Sequence, residues 1–361
     1  MDRQQKKCIK TAPIDYSFQL SAAQKIAADC ENSKFVGAAL MAAVGSGKTV
    51  MLTHALNLIA KKNPDAKILF LAHGQNVLKN QTLDYFGDLS SPVKPEFTFG
   101  IFNSGAQVEV AIPQEVKPSP SNLKFTHIVV DEAHEWLSSS SVINGIIQRL
   151  SKPKLIVATG SVSLFNRYNK KFPDRPFAVT YISGEEMIRR GVYSAVTLDL
   201  IRVTSASDTN SILNRFFDKA KNDQRALEMP IVICESIVQA NRVSGYLQMK
   251  NYLVALSTSE NDNNSEVILK FKNGERNALV LVNRGVLGMN LPSASCALYL
   301  KKTKNIEIIQ QALARIYRRH PDDITKYFYM PSSTDEWNQK VRLLQEVLSL
   351  NKLEVMRSYC G

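Results

Sequence analysis

The amino-acid sequence predicts an α/β protein built from two parallel-sheet domains in tandem, and three observations carry that prediction. Short, strongly apolar runs alternate with segments whose apolar residues recur every three or four positions, which is the signature of βαβ units with both sheet faces covered. The alternation runs twice along the chain, with a stretch of weaker pattern between. The 361 residues also exceed the roughly 250 to 300 at which single cores stop growing. On this basis domain 1 is expected at residues 1–180, a linker at 181–205 and domain 2 at 206–361.

The first series opens with SFQLSAAQKIAADC (17–30) and the apolar run FVGAALMAAV (35–44), which leads into GSGKTV. A helical pattern, TVMLTHALNLIAKK (49–62), follows it. The strands AKILFLAH (66–73), THIVVDEAH (126–134) and KLIVATG (154–160) come next. Between the series, FPDRPFAVTYISGEEMIRRGVYSAVTLDL (172–200) holds prolines and glycines and has no firm period until its end, which places the linker there. The second series comprises PIVICES (230–236), NALVLVN (277–283) and CALYL (296–300), then the helical pattern NIEIIQQALARIYRR (305–319). SPVKP and KPSPSN mark loops through proline chemistry. From Ser333 the pattern predicts one amphipathic helix with Trp337, Val341, Leu344 and Leu348 on a single stripe.

Composition narrows the function classes. Hydrophobic residues make up 44% and charged residues 22%, as in globular proteins rather than disordered ones. A formal charge of +12 favours a polyanionic partner through counterion release and steering, although the basic residues are scattered and mark no site by themselves. The five cysteines, Cys8, Cys30, Cys234, Cys296 and Cys360, form no C-x-x-C pair, which fits reduced thiols better than a disulfide or zinc framework. No run approaches the ~18 apolar residues that a membrane span requires. The expectation is a soluble, intracellular and cytoplasmic protein with no membrane partner.

Two short motifs carry the chemistry. GSGKT follows an apolar segment and opens a helix, so the backbone N–H groups of Gly45, Ser46 and Gly47 and the helix N-terminus can converge on the β-phosphate of ATP. Lys48 can then bridge the β- and γ-phosphates, with Thr49 on Mg²⁺. Ala42 stands where the pattern G-x-x-x-x-G-K-[ST] has its first glycine, and a glycine turn with an incidental Lys-Thr is the plain alternative. IVVDEAH supplies Asp131 and Glu132 at the end of a buried run. Asp131 can hold Mg²⁺ while Glu132 orients and deprotonates the attacking water. His134 can report nucleotide state to the other domain. A strand ending in acids is by itself often only a solvated strand end, and GSGKT upstream is what gives it a role.

With these motifs the chain resembles the superfamily 2 helicases and translocases, whose first motif is written A-x-x-G-x-G-K-T. Ala42, Gly45, Gly47, Lys48 and Thr49 occupy its positions. The segment at 17–30 followed by VGSGKTV is similar to the F-x-L-T-x-A-Q and VGSGKT pair of RecG-type branch-migration enzymes, which implies that Gln24 lies on the adenine. ILFLAHGQNVLKNQ (68–81) resembles the motif whose loop lies on the nucleic-acid backbone, and VEVAIPQEV (108–116) resembles the V-x-x-A-T-P-x-x-L segment. ATGS (158–161) resembles the motif that couples hydrolysis to strand movement, with Thr159 and Ser161 as hydroxyl donors. ISGEEMIRRGVYS (182–194) resembles a stretch of UvsW-like proteins.

In the second half, VNRGVLGMNLPSASCALYL (282–300) is similar to the G-x-N-L-x-x-A segment of Swi/Snf-type translocases, with Asn290 where other members carry aspartate. QALARIYR (311–318) fits Q-x-x-G-R-x-x-R with Ala314 in the glycine's place, and the resemblance gives Gln311, Arg315 and Arg318 catalytic roles. Two arginines three apart on a helix share a face and can reach one phosphate. A basic solvated face that includes Arg319 and His320 is the plain alternative.

The resemblance as a whole implies two tandem RecA-like domains with ATP and Mg²⁺ in the interdomain cleft and a DEAH-type acid motif. It also implies a nucleic-acid-dependent ATPase that translocates on and remodels DNA by helicase, branch-migration or annealing activity. Duplex or branched DNA is the expected partner ahead of RNA. The alternatives are an RNA helicase and an ATP-switched binding module with little turnover.

Overall fold

The computed structural model describes residues 14–43, 45–72, 76–116, 124–133, 141–150, 153–160, 176–203, 208–221, 227–260, 266–282, 291, 293–303, 308–309, 312–313, 316, 318–319, 325–333 and 335–343. The chain divides into two compact units. One is Tyr16–Ser183, and the other combines Met1–Asp15 with Gly184–Gly361.

The first unit is a seven-stranded sheet in the order β3-β4-β2-β5-β6-β1-β7. Its strands are β1 (Gly37–Ala42), β2 (Ile68–Ala72), β3 (Phe99–Ile101), β4 (Val108–Ala111), β5 (His127–Asp131), β6 (Lys154–Thr159) and β7 (Phe177–Ile182). Every pairing is parallel. The central strands β1 and β2 are buried throughout, as uninterrupted apolar runs require when helices cover both faces, and β4 is buried with them. The described helices are α1 (Ser17–Glu31), α2 (Lys48–Lys62), α3 (Asn76–Gly87), α4 (Pro113–Val116) and α5 (Ser141–Gln148). One core layer gathers Ala39, Met41, Leu69, Leu71, Val130 and Val157 beneath Ile143 and Ile146 of α5.

Two local features fix this sheet. A Cβ on Gly37 would stand 2.1 Å from the carbonyl oxygen of Leu155, so only glycine lets β1 approach β6 at that point. The tight parallel crossover from β3 to β4 is held by the buried carboxylate of Glu109, which accepts the N–H groups of Asn103 and Gly105, each at 2.8 Å.

The second unit is a six-stranded parallel sheet in the order β10-β11-β9-β12-β13-β8. Its strands are β8 (Val196–Arg202), β9 (Pro230–Cys234), β10 (Val254–Ser257), β11 (Ala278–Val282), β12 (Cys296–Tyr299) and β13 (Lys326–Ser332). Its described helices are α6 (Gly184–Arg189), α7 (Thr209–Ala220), α8 (Ile237–Met249) and α9 (Glu266–Lys272). Asp208 caps α7 by accepting the Asn210 N–H, and Ser236 caps α8 by accepting that of Gln239. Phe216, Val232, Leu247, Leu298 and Tyr329 form the centre of its core.

The stretch 181–205, expected as a linker, holds regular elements: the end of β7, all of α6 and all of β8. β8 pairs with β13 from Val196↔Lys326 to Arg202↔Ser332. It is an edge strand, and its single acid, Asp199, meets the ammonium of Lys219 on α7 at 2.7 Å. That polar interruption is what breaks the apolar pattern in the sequence. Lys326 at the start of β13 is fully buried, and burial pushes its pKa down to about 7.

Residues 337–343 are helical, with the Arg202 guanidinium 5.0 Å from the centre of the Trp337 ring. Leu344 and Leu348 of the expected stripe lie outside the described residues. Cys30, Cys234 and Cys296 are buried free thiols. Among the described residues no helix is long and apolar enough to cross a membrane.

Candidate active site

The chemistry-bearing residues of the first unit collect at the C-terminal ends of β1, β5 and β6. β1 ends at Ala42 and α2 begins at Lys48. Gly45 (φ 88°) and Gly47 (φ 90°) turn the chain between them in left-handed conformations that glycine adopts without steric penalty. A Cβ on Gly47 would stand 2.3 Å from Nε2 of Gln19, and that amide donates to the Ser46 carbonyl at 3.0 Å. Gln19 of α1 therefore braces the loop from behind. Ser46 also donates its own N–H to the Ala43 carbonyl, at 3.1 Å.

The loop fits an anionic ligand. The Ser46 hydroxyl is buried and has no hydrogen-bond partner. The first turn of α2 presents amide N–H groups that lack intrahelical acceptors, at the positive end of the helix dipole. Lys48 sits in that turn, only 8% exposed, with its ammonium 3.3 Å from Oε1 of Glu132. Thr49 follows it, and its carbonyl accepts the Thr53 hydroxyl at 2.8 Å.

Glu132 reaches Lys48 from an unusual backbone. Its φ is +48°, a left-handed value that few non-glycine residues adopt and that concentrates at functional sites. Two bonds hold the turn: the Glu132 N–H donates to Oδ1 of Asp131 at 2.9 Å, and the Ala133 N–H donates to the Ala158 carbonyl at 2.9 Å. The second bond ties the acid turn to β6, whose last residue, Thr159, is buried and pairs with Met41 of β1. Lys48, Asp131, Glu132 and the loop from Gly45 to Thr49 thus share one end of the sheet. A cation able to take phosphate, two carboxylates and a buried orphan hydroxyl suit a nucleoside triphosphate with a divalent metal.

Gln24 does not join them. It is exposed on α1 and lines a cavity of about 560 Å³ with Ala27, Leu58 and Lys62. Leu58 lies roughly 15 Å along the α2 axis from Lys48. The contact of Gln24 with the adenine rests on the resemblance alone. Five positions along a helix turn a side chain by roughly 140°, so Gln19 faces the loop and Gln24 does not. No motif signalled Gln19.

Gln311, Arg315, His134, Ser161, Asn290 and Ala314 lie outside the described residues. Arg318 is described, half-exposed and in an isolated antiparallel bridge with Tyr193. Ile309, Ala312, Leu313 and Ile316 just before it are fully buried at helical spacing.

Comparison with known proteins follows the same division. The model for the type III restriction enzyme res subunit matches residues 14–163, and the model for the helicase conserved C-terminal domain matches residues 207–320. No curated protein matches the sequence. Among solved structures, a fragment of a putative HsdR subunit of a type I restriction enzyme from Vibrio vulnificus YJ016 superposes with a TM-score of 0.64 at 19% identity. It covers 90% of this chain, which spans 66% of the fragment. S. cerevisiae Dbp5 bound to RNA and ADP BeF3 gives 0.56 at 15% identity, over 91% of this chain and 93% of that one. The DUF1998 helicase MrfA bound to DNA gives 0.64 at 14% identity, over 91% of this chain and 51% of that one. At these identities the structures show the fold, which is that of tandem RecA-like helicase domains. Carrying the two matched helicase models in order on two parallel α/β units, the chain belongs to the superfamily 2 helicases, a family of ATP hydrolases.

Proposed function

We propose that the chain is a nucleic-acid-dependent ATPase that translocates on duplex or branched DNA and remodels it, in the manner of RecG- and UvsW-type enzymes. The observation that carries the catalytic half is the 3.3 Å contact between Lys48 and Glu132 beside Asp131. When triphosphate occupies the loop, the Lys48 ammonium pairs with the β- and γ-phosphates instead, which frees the Glu132 carboxylate. Glu132 then orients the attacking water and takes its proton. Mg²⁺ held by Thr49 and Asp131 would neutralise charge developing on the phosphate oxygens. Arg315 and Arg318 of the second unit stabilise charge on the transferring phosphoryl, with Gln311 beside them. Thr159 couples this chemistry to movement along the strand.

The DNA half rests on the resemblance of both series of motifs to duplex trackers and on the net charge of +12. The similar structures include MrfA bound to DNA and Dbp5 bound to RNA. An RNA helicase is therefore the second reading, and an ATP-switched binding module the third. One experiment separates the three. Phosphate release is measured with single-stranded, duplex, forked and four-way DNA and with RNA, at matched nucleotide concentration and several salt levels. Duplex or branched DNA is expected to stimulate most, and affinity to fall by roughly one power of salt concentration per phosphate neutralised. Stimulation by RNA alone overturns the DNA assignment. Stimulation by single strands alone overturns branch remodelling, and absence of turnover leaves the binding module.

A further inference from the structure

The turn that closes α6 is built as a Schellman cap. Gly191 (φ 70°) donates its N–H to the Ile188 carbonyl at 2.9 Å, and Val192 donates to the Met187 carbonyl at 2.8 Å, which are the two bonds of that cap. Met187, Val192 and Tyr193 are each at most 2% exposed, so the turn is anchored in the core of its unit. Arg190 is held by the carboxylates of Glu186 and Asp15, and its carbonyl accepts the Asp15 N–H at 3.1 Å.

The arginine segment lies against this turn. Arg319 donates its N–H to the Val192 carbonyl at 3.1 Å, and Arg318 bridges Tyr193. A Cβ on Gly191 would stand 2.9 Å from Nη1 of Arg319 and 3.7 Å from its Cζ, so the guanidinium of Arg319 rests over the bare α-carbon. With Arg319 seated on the turn, its neighbour Arg318 lies beside Tyr193 of the same turn. Burial raises the pKa of Tyr193, and the positive charge of Arg318 acts against that rise.

We infer that the turn Arg190–Tyr193 is a positioning element for the arginine segment, with Gly191 as its critical residue and Arg319 as its anchor. The inference rests on the reading that Arg318 serves hydrolysis. The left-handed backbone calls for glycine, and a Cβ there would also push the tip of the Arg319 side chain off the turn. A side chain at position 191 strains the left-handed turn and displaces the Arg319 guanidinium from its seat, which loosens the anchor beside Arg318.

The test measures nucleic-acid-stimulated kcat, nucleotide affinity and thermal melting of the full chain for Arg318→Ala, Gly191→Ala, Gly191→Asn and the double variant Gly191→Ala with Arg318→Ala. Arg318→Ala is expected to lower kcat by on the order of 10³-fold with nucleotide affinity retained. Gly191→Ala is expected to lower kcat by up to about 10²-fold, also with affinity retained. Asparagine tolerates the left-handed backbone but keeps the Cβ, so Gly191→Asn shows the kcat loss with parental melting and stands in if the alanine variant does not fold. The double variant should be no slower than Arg318→Ala, because both changes act through one guanidinium. If Arg318→Ala is impaired while Gly191→Asn turns over at the parental rate, or if the losses multiply in the double variant, the positioning role is wrong. A parental rate for Arg318→Ala overturns the reading beneath it and the inference with it.

Discussion

The two ends of the seven-stranded sheet use charge in opposite ways. At the C-terminal ends, Gly45, Gly47 and Glu132 hold left-handed backbones, the Ser46 hydroxyl is buried without a partner, and Lys48 meets Glu132 at 3.3 Å. At the N-terminal ends, Glu31 closes α1 with both carboxylate oxygens engaged, one by Nε2 of His127 at 3.0 Å and the other by the Lys154 ammonium. Nδ1 of His127 meets the Thr126 hydroxyl at 2.8 Å. A carboxylate at a helix C-terminus opposes the helix dipole, and the two cationic-capable partners offset that. One end combines left-handed backbones with a buried hydroxyl that has no partner; at the other, paired charges hold strands to helix. Substitutions at the first should change turnover and spare stability, and those at the second should do the reverse.

The largest expected effect belongs to Lys48→Ala, which removes the charge that meets the phosphates. Nucleotide binding and turnover should both be lost, with melting close to the parent; a variant that still binds ATP with parental affinity would break the comparison at its functional end. Next comes Glu31→Gln. The amide retains size but loses the charge that orders His127 and Lys154, and a buried imidazole without a good partner costs about 1–3 kcal/mol. Urea denaturation should show that loss while stimulated ATPase per folded molecule stays parental.

The smallest effect is a pH dependence. Burial lowers the pKa of His127, only partly opposed by Glu31. Burial acts to raise the pKa of Glu31, but hydrogen bonds from Lys154 and His127 outweigh it and leave the carboxyl below its ordinary range. On acidification the unfolded imidazole takes up a proton near pH ~6.5 that the folded one resists, so stability falls with pH through that region. The contribution of Glu31 is present above its unfolded value and is lost as pH falls through its lower, folded value. Denaturation at pH 7.5 and 5.5 should therefore show a smaller difference in His127→Gln than in the parent, and an equal difference would remove His127 from the cluster.

What the sequence revealed of this contrast follows from burial. β2, β5, β6, β9, β11 and β12 were legible because central parallel strands are apolar on both faces. Edge strands break the pattern, as with Asp199 in β8 and with Thr180 of β7, which is buried between the exposed Val179 and Tyr181. β8 was consequently read as linker. Lys48, Asp131 and Glu132 were legible because each stands in a contiguous motif at a strand end. Gln19 was not, because which face of α1 meets the phosphate loop is decided by packing of α1 against α2 and β1, and no local spacing records it. The seat of Arg319 on Gly191 was equally hidden, since it joins residues more than a hundred positions apart.

The most direct test of an ATPase at the C-terminal ends of these strands is Glu132→Gln, assayed for nucleotide binding and for stimulated phosphate release on the same preparation. The amide keeps the shape and hydrogen-bonding size of the acid but cannot take a proton. ATP affinity should match the parent while turnover falls by about 10²- to 10⁴-fold. Parental turnover in this variant would show that Glu132 is not the base and would contradict the account of the site.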